Sequence, residues 1–344
     1  MKKIIKVCLI GAGRIGFKLE NDAKRKKPAT HYGMWIRNNN VKLSAICDKN
    51  KISKKETNKI PKYIKIYKDF VKMIKAEKPD IVTIATWKDS HFKITSKCID
   101  LGIRTIVLEK PLSNNIKEAI QLNKKIRKKK VNILINHRRR FDTEIINLRK
   151  KLNKNIIGKI ININANYVYG ILTTGTHLID TLRMLLKDIA GDVDYVSGHE
   201  NKFNNFCPKD DQNVDGSIVF KNGLKASINS LNMKSYDNFD IFIYGTKGLI
   251  VITGIGRTGL LYKVINSTEH TGFRELNLKP DILFGPKPRN QFGLLSKNAV
   301  DCFLKRKKSM CDSQESLIDM IIIDNLIKSS KQNSIKKKIS IPKI

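Results

Sequence analysis

The sequence predicts an α/β protein with two domains. The first is a doubly wound parallel sheet; the second is α+β, with a large open, mainly antiparallel sheet. Three observations carry this. Apolar runs alternate with helix-like stretches over residues 1–136. The glycine-rich run Gly11-Ala12-Gly13-Arg14-Ile15-Gly16 directly follows the first apolar run. After Phe141 the pattern changes to strand-like runs at roughly ten-residue spacing, divided by turn signals. A chain of 344 residues is too long for one ordinary core and suits two domains. The expected division is 1–136 and 137–344, with the terminal helix a candidate to pack back on the first domain.

In the first domain Ile4 to Ile10, Val41 to Cys47, Asp80 to Ala85, Arg104 to Leu108 and Val131 to Ile135 read as buried strands. Asp69 to Ala76, Asp89 to Leu101 and Asn114 to Lys129 read as the helices between them. Asp69 and Asp89 suit N-caps, and Gly102 suits a C′ position. Strands alternating with helices of this length imply a parallel sheet covered on both faces. Residues Asn21 to Gly33 look like an insertion in the first crossover. In the second domain Ile160 to Tyr169 alternates as a half-exposed strand. A helix from Gly175 to Leu186 follows, then six strand-like runs from Val193 to Ile265. The stretch Leu278 to Arg289 reads as a long mobile loop. Gln291 to Lys305 and Ser313 to Ser329 read as closing helices.

Composition excludes several classes. No apolar run reaches the ~18 residues that a membrane span needs. The apolar N-terminal run is broken by Lys6 and reads as a strand rather than a signal peptide. The six cysteines have no metal-ligand spacing; Cys8 and Cys47, inside apolar runs, read as buried reduced thiols, in keeping with a cytoplasmic protein, Cys302 and Cys311 are given no role, and no metal site is expected. The net charge of +36 comes from 67 basic against 31 acidic residues. Lysines dominate and are spread over every segment, alongside many isoleucines and few alanines. That is a genome-wide compositional bias rather than the arginine-rich face of a phosphate reader. No dedicated nucleic-acid or membrane partner is expected.

The glycine run fits G-x-G-x-x-G between a strand and a helix. Gly11 suits the tight turn, Gly13 the close approach of a pyrophosphate, and Gly16 the packing of helix on strand. Asp48, at the end of the second strand, suits a ribose acceptor. A carboxylate there repels a 2′-phosphate, so NAD is expected over NADP. Lys110, in Glu109-Lys110-Pro111 at the end of the fifth strand, stands where ligands bind in such sheets.

These motifs, with Gly175-Thr176-His177-Leu178-Ile179-Asp180 and the His91 loop, resemble the Gfo/Idh/MocA oxidoreductase family in order and spacing over essentially the whole chain. The resemblance implies a Rossmann domain followed by an open-sheet domain. It implies NAD(P)-dependent oxidation or reduction of a sugar, nucleotide sugar or cyclitol, in a homodimer or homotetramer joined through that sheet. It makes Lys110 and His177 the catalytic pair. Gly11, Gly13, Arg14, Ile15, Gly16, Asp48, Thr86, His91, Glu109 and Lys110 become the cofactor residues. Asp180, Thr173, Arg140, His31 and Tyr169 become candidates to hold substrate.

His177 lies near a helix start, where the dipole disfavours imidazolium and keeps a usable base. Many family members carry Asp four residues before this His; here the position is Thr173. Tyr167 and Tyr169 suit either sugar stacking or sheet packing, and Arg140 either an anionic substrate group or a structural ion pair. Two further readings stay open: redox-neutral sugar chemistry on a tightly held NAD, and a non-catalytic NAD sensor.

Overall fold

The computed structural model describes residues 4–204 and 206–342. These divide into two compact units, one comprising the described residues through Asp142 together with Arg289–Met320, the other Thr143–Pro288 with Ile321–Ile341. The sequence places its boundary at 136/137; the first unit also draws in the 289–320 segment. Among the described residues no helix is long and apolar enough to cross a membrane.

The first unit holds six parallel strands: β1 (Ile5–Ile10), β2 (Val41–Cys47), β3 (Lys65–Tyr67), β4 (Ile81–Ile84), β5 (Thr105–Leu108) and β6 (Asn132–Ile135). Their order is β3-β2-β1-β4-β5-β6, so the direction of winding reverses between β1 and β4. Ligands in such sheets bind at that crevice, outside the carboxyl ends of the strands. The central strands are apolar on both faces; all four residues of β4 and of β5 are buried. Asp69 caps helix Phe70–Glu77 by accepting from Val71 N and Lys72 N. The helix after β4 begins at Lys88 with Trp87 at its cap, so Asp89 lies in its first turn rather than capping it. Helix Gln291–Phe303 packs on β5 and β6.

The first crossover departs from the expected helix after Gly16. Gly13–Gly16 begins one helical turn, with Phe17 N donating to Gly13 O (2.9 Å) and Leu19 N to Arg14 O (2.9 Å). The chain then makes a short 3₁₀ turn, Lys18–Asn21, and loops out. It returns as helix His31–Ile36. His31 N donates to Ile15 O (3.1 Å) and Tyr32 N to Gly16 O (2.9 Å). These are the carbonyls that residues 19 and 20 would serve in an unbroken helix. The helix is therefore spliced across the insertion.

Glu20 ties the two ends of the excursion. Its Oε2 accepts from Ala29 N (2.9 Å) and Thr30 Oγ1 (2.8 Å), and its Oε1 from Arg37 (2.6 Å). Thr30 in turn caps the resumed helix through Gly33 N. Tyr32, Met34 and Trp35 are buried, and Trp35 Nε1 donates to Thr83 Oγ1 on β4.

The second unit is a ten-stranded sheet. Its strands are β7 (Ile160–Val168), β8 (Val193–Glu200), β9 (Val214–Phe220), β10 (Lys225–Leu231), β11 (Asp240–Gly245), β12 (Gly248–Thr253), β13 (Thr258–Asn266), β14 (Arg274–Leu276), β15 (Asp281–Phe284) and β16 (Lys337–Lys338). The order is β14-β13-β12-β11-β7-β10-β9-β8-β16, with β15 also on β13. The β7–β10 pair is parallel, and every other pair in this sheet is antiparallel. β15 lies in the stretch expected to be a mobile loop; its pairing with β13 corrects that expectation. β7 shows the strand period plainly. Ile163, Ala165 and Tyr167 are buried, while Asn162, Asn164 and Asn166 stand half-buried on the opposite face.

Candidate active site

The glycine loop is held by backbone contacts that side chains would block. Gly11 has φ +99°, and a Cβ there would stand 2.5 Å from Ala85 O; a Cβ on Gly16 would stand 2.1 Å from Gly11 O. Gly13 differs: nothing lies within 4 Å of its Cβ position. Two glycines thus serve the fold, and the third leaves open space beside the crevice, as close approach of a pyrophosphate requires. Asp48 is braced to this loop, its Oδ2 accepting from Ala12 N (2.8 Å) and its Oδ1 from Asn50 N (2.9 Å). Arg14 is exposed, Ile15 half-buried, and Thr86 Oγ1 accepts from Ser90 Oγ (2.7 Å). Open loop and strand-end acid together fit a dinucleotide.

Lys110 sits half-buried at the carboxyl end of β5, on a turn clamped from both sides. On one side, buried Glu109 Oε1 lies 2.6 Å from His31 Nε2 and accepts from Asn136 Nδ2 at 2.6 Å. His31 is itself fully buried, edge-on to Phe292. On the other side, His91 Nδ1 lies 2.7 Å from Pro111 O and its Nε2 3.1 Å from Thr86 O. Burial pushes the His91 imidazole below its usual range, against the pull of both carbonyl contacts.

Burial alone would raise the Glu109 carboxyl. The hydrogen bond and charge of His31, the Asn136 amide and the charge of Lys110 outweigh it and hold Glu109 down to about 2. A depressed carboxylate adds stability above its unfolded value and loses it as pH falls through the folded one. Acid denaturation should therefore steepen between the ordinary value of 4.5 and about 2. Urea titrations at pH 5 and pH 3 check this: Glu109→Gln should lose less stability between the two than the unmodified protein. Equal losses would show that Glu109 is not so perturbed.

In the second unit, Ile171–Gly175 forms a π-helical turn that runs into helix Thr176–Ala190. Such turns recur at functional sites. His177 is half-buried and Asp180 buried on that helix. The π turn puts His177 a full turn inside the helical run. His177 is also the second residue of helix Thr176–Ala190, near its start as expected. Thr173 lies in the turn itself, hydrogen-bonded to Asp211. Tyr169 has φ +60° and its ring centroid lies 5.3 Å from that of Phe206. Tyr167 is fully buried, its hydroxyl accepting from Val214 N and donating to Val214 O.

The comparisons agree with this geometry. Residues 5–137 match the family model described as the oxidoreductase family with an NAD-binding Rossmann fold. Over these residues the chain is similar to the Gfo/Idh/MocA oxidoreductase family. A curated relative, the uncharacterized oxidoreductase YhhX of Escherichia coli, is 22% identical over 194 residues, 52% of this chain and 54% of its own. The chain thus spans about half the length of the curated relative it matches.

Two solved structures are similar throughout. One is an aldose-aldose oxidoreductase from Caulobacter crescentus complexed with glycerol (16% identity, 98% of this chain and 100% of that one, TM-score 0.77). The other is the WlbA dehydrogenase from Bordetella pertussis in complex with NADH and UDP-GlcNAcA (16%, 99% and 100%, TM-score 0.75). At such identity the likeness is one of fold.

Several candidate residues make structural contacts. Arg140 is buried, its guanidinium on Glu315 Oε2 (2.9 Å) and Met310 O, which makes it a structural ion pair rather than a substrate clamp. His31 is committed to Glu109 and supports the lysine turn instead of reaching substrate. His91 and Glu109 hold the turns that flank the crevice. Asn136 and Asp211 escape a reading of the residues one by one. Asn136 is visible as a polar residue ending a buried strand, whereas Asp211 carries no local signal.

Proposed function

We propose that the protein is an NAD-dependent oxidoreductase acting on a hydroxyl or keto carbon of a sugar, nucleotide sugar or cyclitol. The observation that carries this is the lysine turn at the end of β5. Four buried side chains (Glu109, His31, Asn136 and His91) and a proline carbonyl hold the turn that carries Lys110, at the edge where such sheets bind ligands. An adventitious surface lysine needs no such support. When bound, the cofactor supplies the hydride donor or acceptor. Lys110 holds the substrate oxygen, and His177 takes or returns its proton. Asp180 helps to orient the His177 helix face. Gly13 and the first-turn N–H groups receive the pyrophosphate, and Asp48 the ribose hydroxyls, which favours NAD over NADP.

The similarity in fold to an aldose-aldose oxidoreductase and to a dehydrogenase in complex with NADH and UDP-GlcNAcA supports this reading. We also place the protein in the cytoplasm. We propose a dimer or tetramer joined through the outer face of the second sheet, where half-buried polar and apolar side chains alternate with the core. A monomeric mass at micromolar concentration would overturn that assembly.

Fluorescence titration with NADH and NADPH, then turnover with a panel of sugars, cyclitols and nucleotide sugars, tests the function. Tighter NADH binding and stoichiometric NADH production or consumption with one ligand class are expected. Cofactor that co-purifies and never turns over in bulk would replace this reading with redox-neutral chemistry or sensing.

A further inference from the structure

β5 and β6 leave the first sheet side by side. Leu108 pairs with Ile135, and Asn136 N donates to Leu108 O (2.9 Å). Lys110 therefore stands two residues, and Arg138 three, past the same rung. Arg138 opens the 3₁₀ turn Arg138–Phe141. Its guanidinium is held on one side. Nε donates to Gln291 Oε1 (3.0 Å), and Cζ lies 5.9 Å from the centroid of the Phe292 ring. That ring is the one His31 meets edge-on, at 5.2 Å. Gln291 is itself fixed, its Nε2 donating to buried Asp142 (2.7 Å).

The acids nearby are engaged elsewhere. Glu109 accepts from His31 and Asn136, and Asp142 from Arg289 and Gln291. Among the described residues Arg138 has no ion pair, and its terminal nitrogens donate to no acceptor. The side chain is exposed to solvent. Burial nonetheless pushes its guanidinium below the usual range, aided by the charge of Arg25 and against the pull of Glu109 and Asp142. Arg25 lies on the excursion, paired with Asp22 (3.2 Å). A side chain both reached by water and crowded by protein lines a cleft. With Nε engaged, the open edge is the Nη1–Nη2 end, which presents two parallel N–H groups to an anion. The order β3-β2-β1-β4-β5-β6 sets Arg138 at the far end of the sheet from the glycine loop and Asp48. An anion held there belongs to the substrate rather than to the pyrophosphate.

We propose that Arg138 binds an anionic group of the substrate, so that the enzyme acts on a sugar acid or a phosphate-bearing sugar in preference to a neutral polyol. The shared chemistry is a pair of anionic oxygens received end-on by the guanidinium, with the reacting hydroxyl presented to Lys110. Gln291 is the positioning residue that sets which edge of the guanidinium stays open. This rests on the reading of the Lys110 crevice as the substrate site.

The experiment uses the full chain loaded with NAD or NADH and ligands matched in ring configuration: glucose, glucuronate and glucose 6-phosphate, then the galactose series and the corresponding nucleotide sugars. It measures kcat, KM and calorimetric affinity at low and high salt, together with NADH affinity and thermal unfolding. A merely structural Arg138 would change every ligand alike. A clamp changes the ratio of acidic to neutral.

The unmodified protein should favour an acidic ligand over its neutral counterpart, and added salt should erode that preference. Arg138→Gln should erase it, raising the KM and dissociation constant of the acidic ligand by about 10–100-fold, as for lost hydrogen bonds to a charged group. Arg138→Lys keeps the charge without the paired geometry and should recover part of the loss. Gln291→Ala should raise the same KM by a smaller factor. A preference for the sugar acid makes the bound group a carboxylate; a preference for the sugar phosphate or nucleotide sugar makes it a phosphoryl group. Turnover of neutral sugars with no acidic preference would overturn the clamp and leave the functional reading standing. So would an equal loss on acidic and neutral ligands in Arg138→Gln. If the unmodified protein neither binds nor turns over any member of the panel, the functional reading falls and takes the clamp with it.

Discussion

Replacing Lys110 with alanine should lower turnover by about 10²–10⁴-fold, the range expected when a positioned proton-transfer group is removed. NADH affinity should stay within about twofold, because the glycine loop is shaped by Ala85, by its own backbone and by Asp48. The turn itself should survive. Glu109 keeps His31 and Asn136, and Pro111 keeps His91. Single-turnover rates and NADH titrations on the same preparation test both halves. A drop in NADH binding matching the loss of rate would make Lys110 a cofactor ligand alone. Unchanged rates would remove it from the mechanism.

The glycine loop gives a second large and more discriminating effect. Gly13→Ala and Gly16→Ala add the same methyl group three residues apart. At Gly16 the methyl meets the Gly11 carbonyl at 2.1 Å, backbone that cannot rotate away. Overpacking of this kind costs about 1–3 kcal/mol or more, and thermal unfolding should fall accordingly. At Gly13 nothing lies within 4 Å, so Gly13→Ala should unfold with the unmodified protein. It should nonetheless bind NADH at least tenfold more weakly, since about 1.4 kcal/mol of lost backbone approach suffices for that. If Gly13→Ala binds NADH normally, the cofactor does not use this loop as proposed.

What the sequence disclosed, and what it hid, follows the range over which each residue interacts. The parallel sheet was legible because buried strands and covering helices each carry a local period. Gly11, Gly13 and Gly16 were legible because their constraint is backbone geometry within one turn. The insertion before Gly33 showed in the long interval between Gly16 and Asp48. Its resumption as the same helix did not show, since the bonds from His31 to Ile15 and Tyr32 to Gly16 leave no periodic trace. His31 and Arg140 were read as substrate groups because each is a polar residue near a motif. Their partners, Glu109 and Glu315, lie far along the chain, and no local pattern announces a buried pair. Asp211 is the extreme case: the only hint of it was that position 173 carries a hydroxyl where a carboxylate was expected.

The splice at Ile15 and Gly16 separates length from phase. Residues 22–27 lie in the excursion, and its two ends are tied by Glu20. Residues can be added or removed at its tip without changing how the returning helix docks, because loop length adds little entropy once the ends are joined. The point of re-entry has no such tolerance. His31 inherits its bearing from the carbonyl it engages, and each residue of slippage turns a helix by about 100°. One residue gained or lost between Thr30 and Tyr32 would therefore swing the imidazole off Glu109 and loosen the turn beneath Lys110. In this chain the surface loop is free to drift in evolution, while the rotational setting of a single helical turn is what ties it to the chemistry.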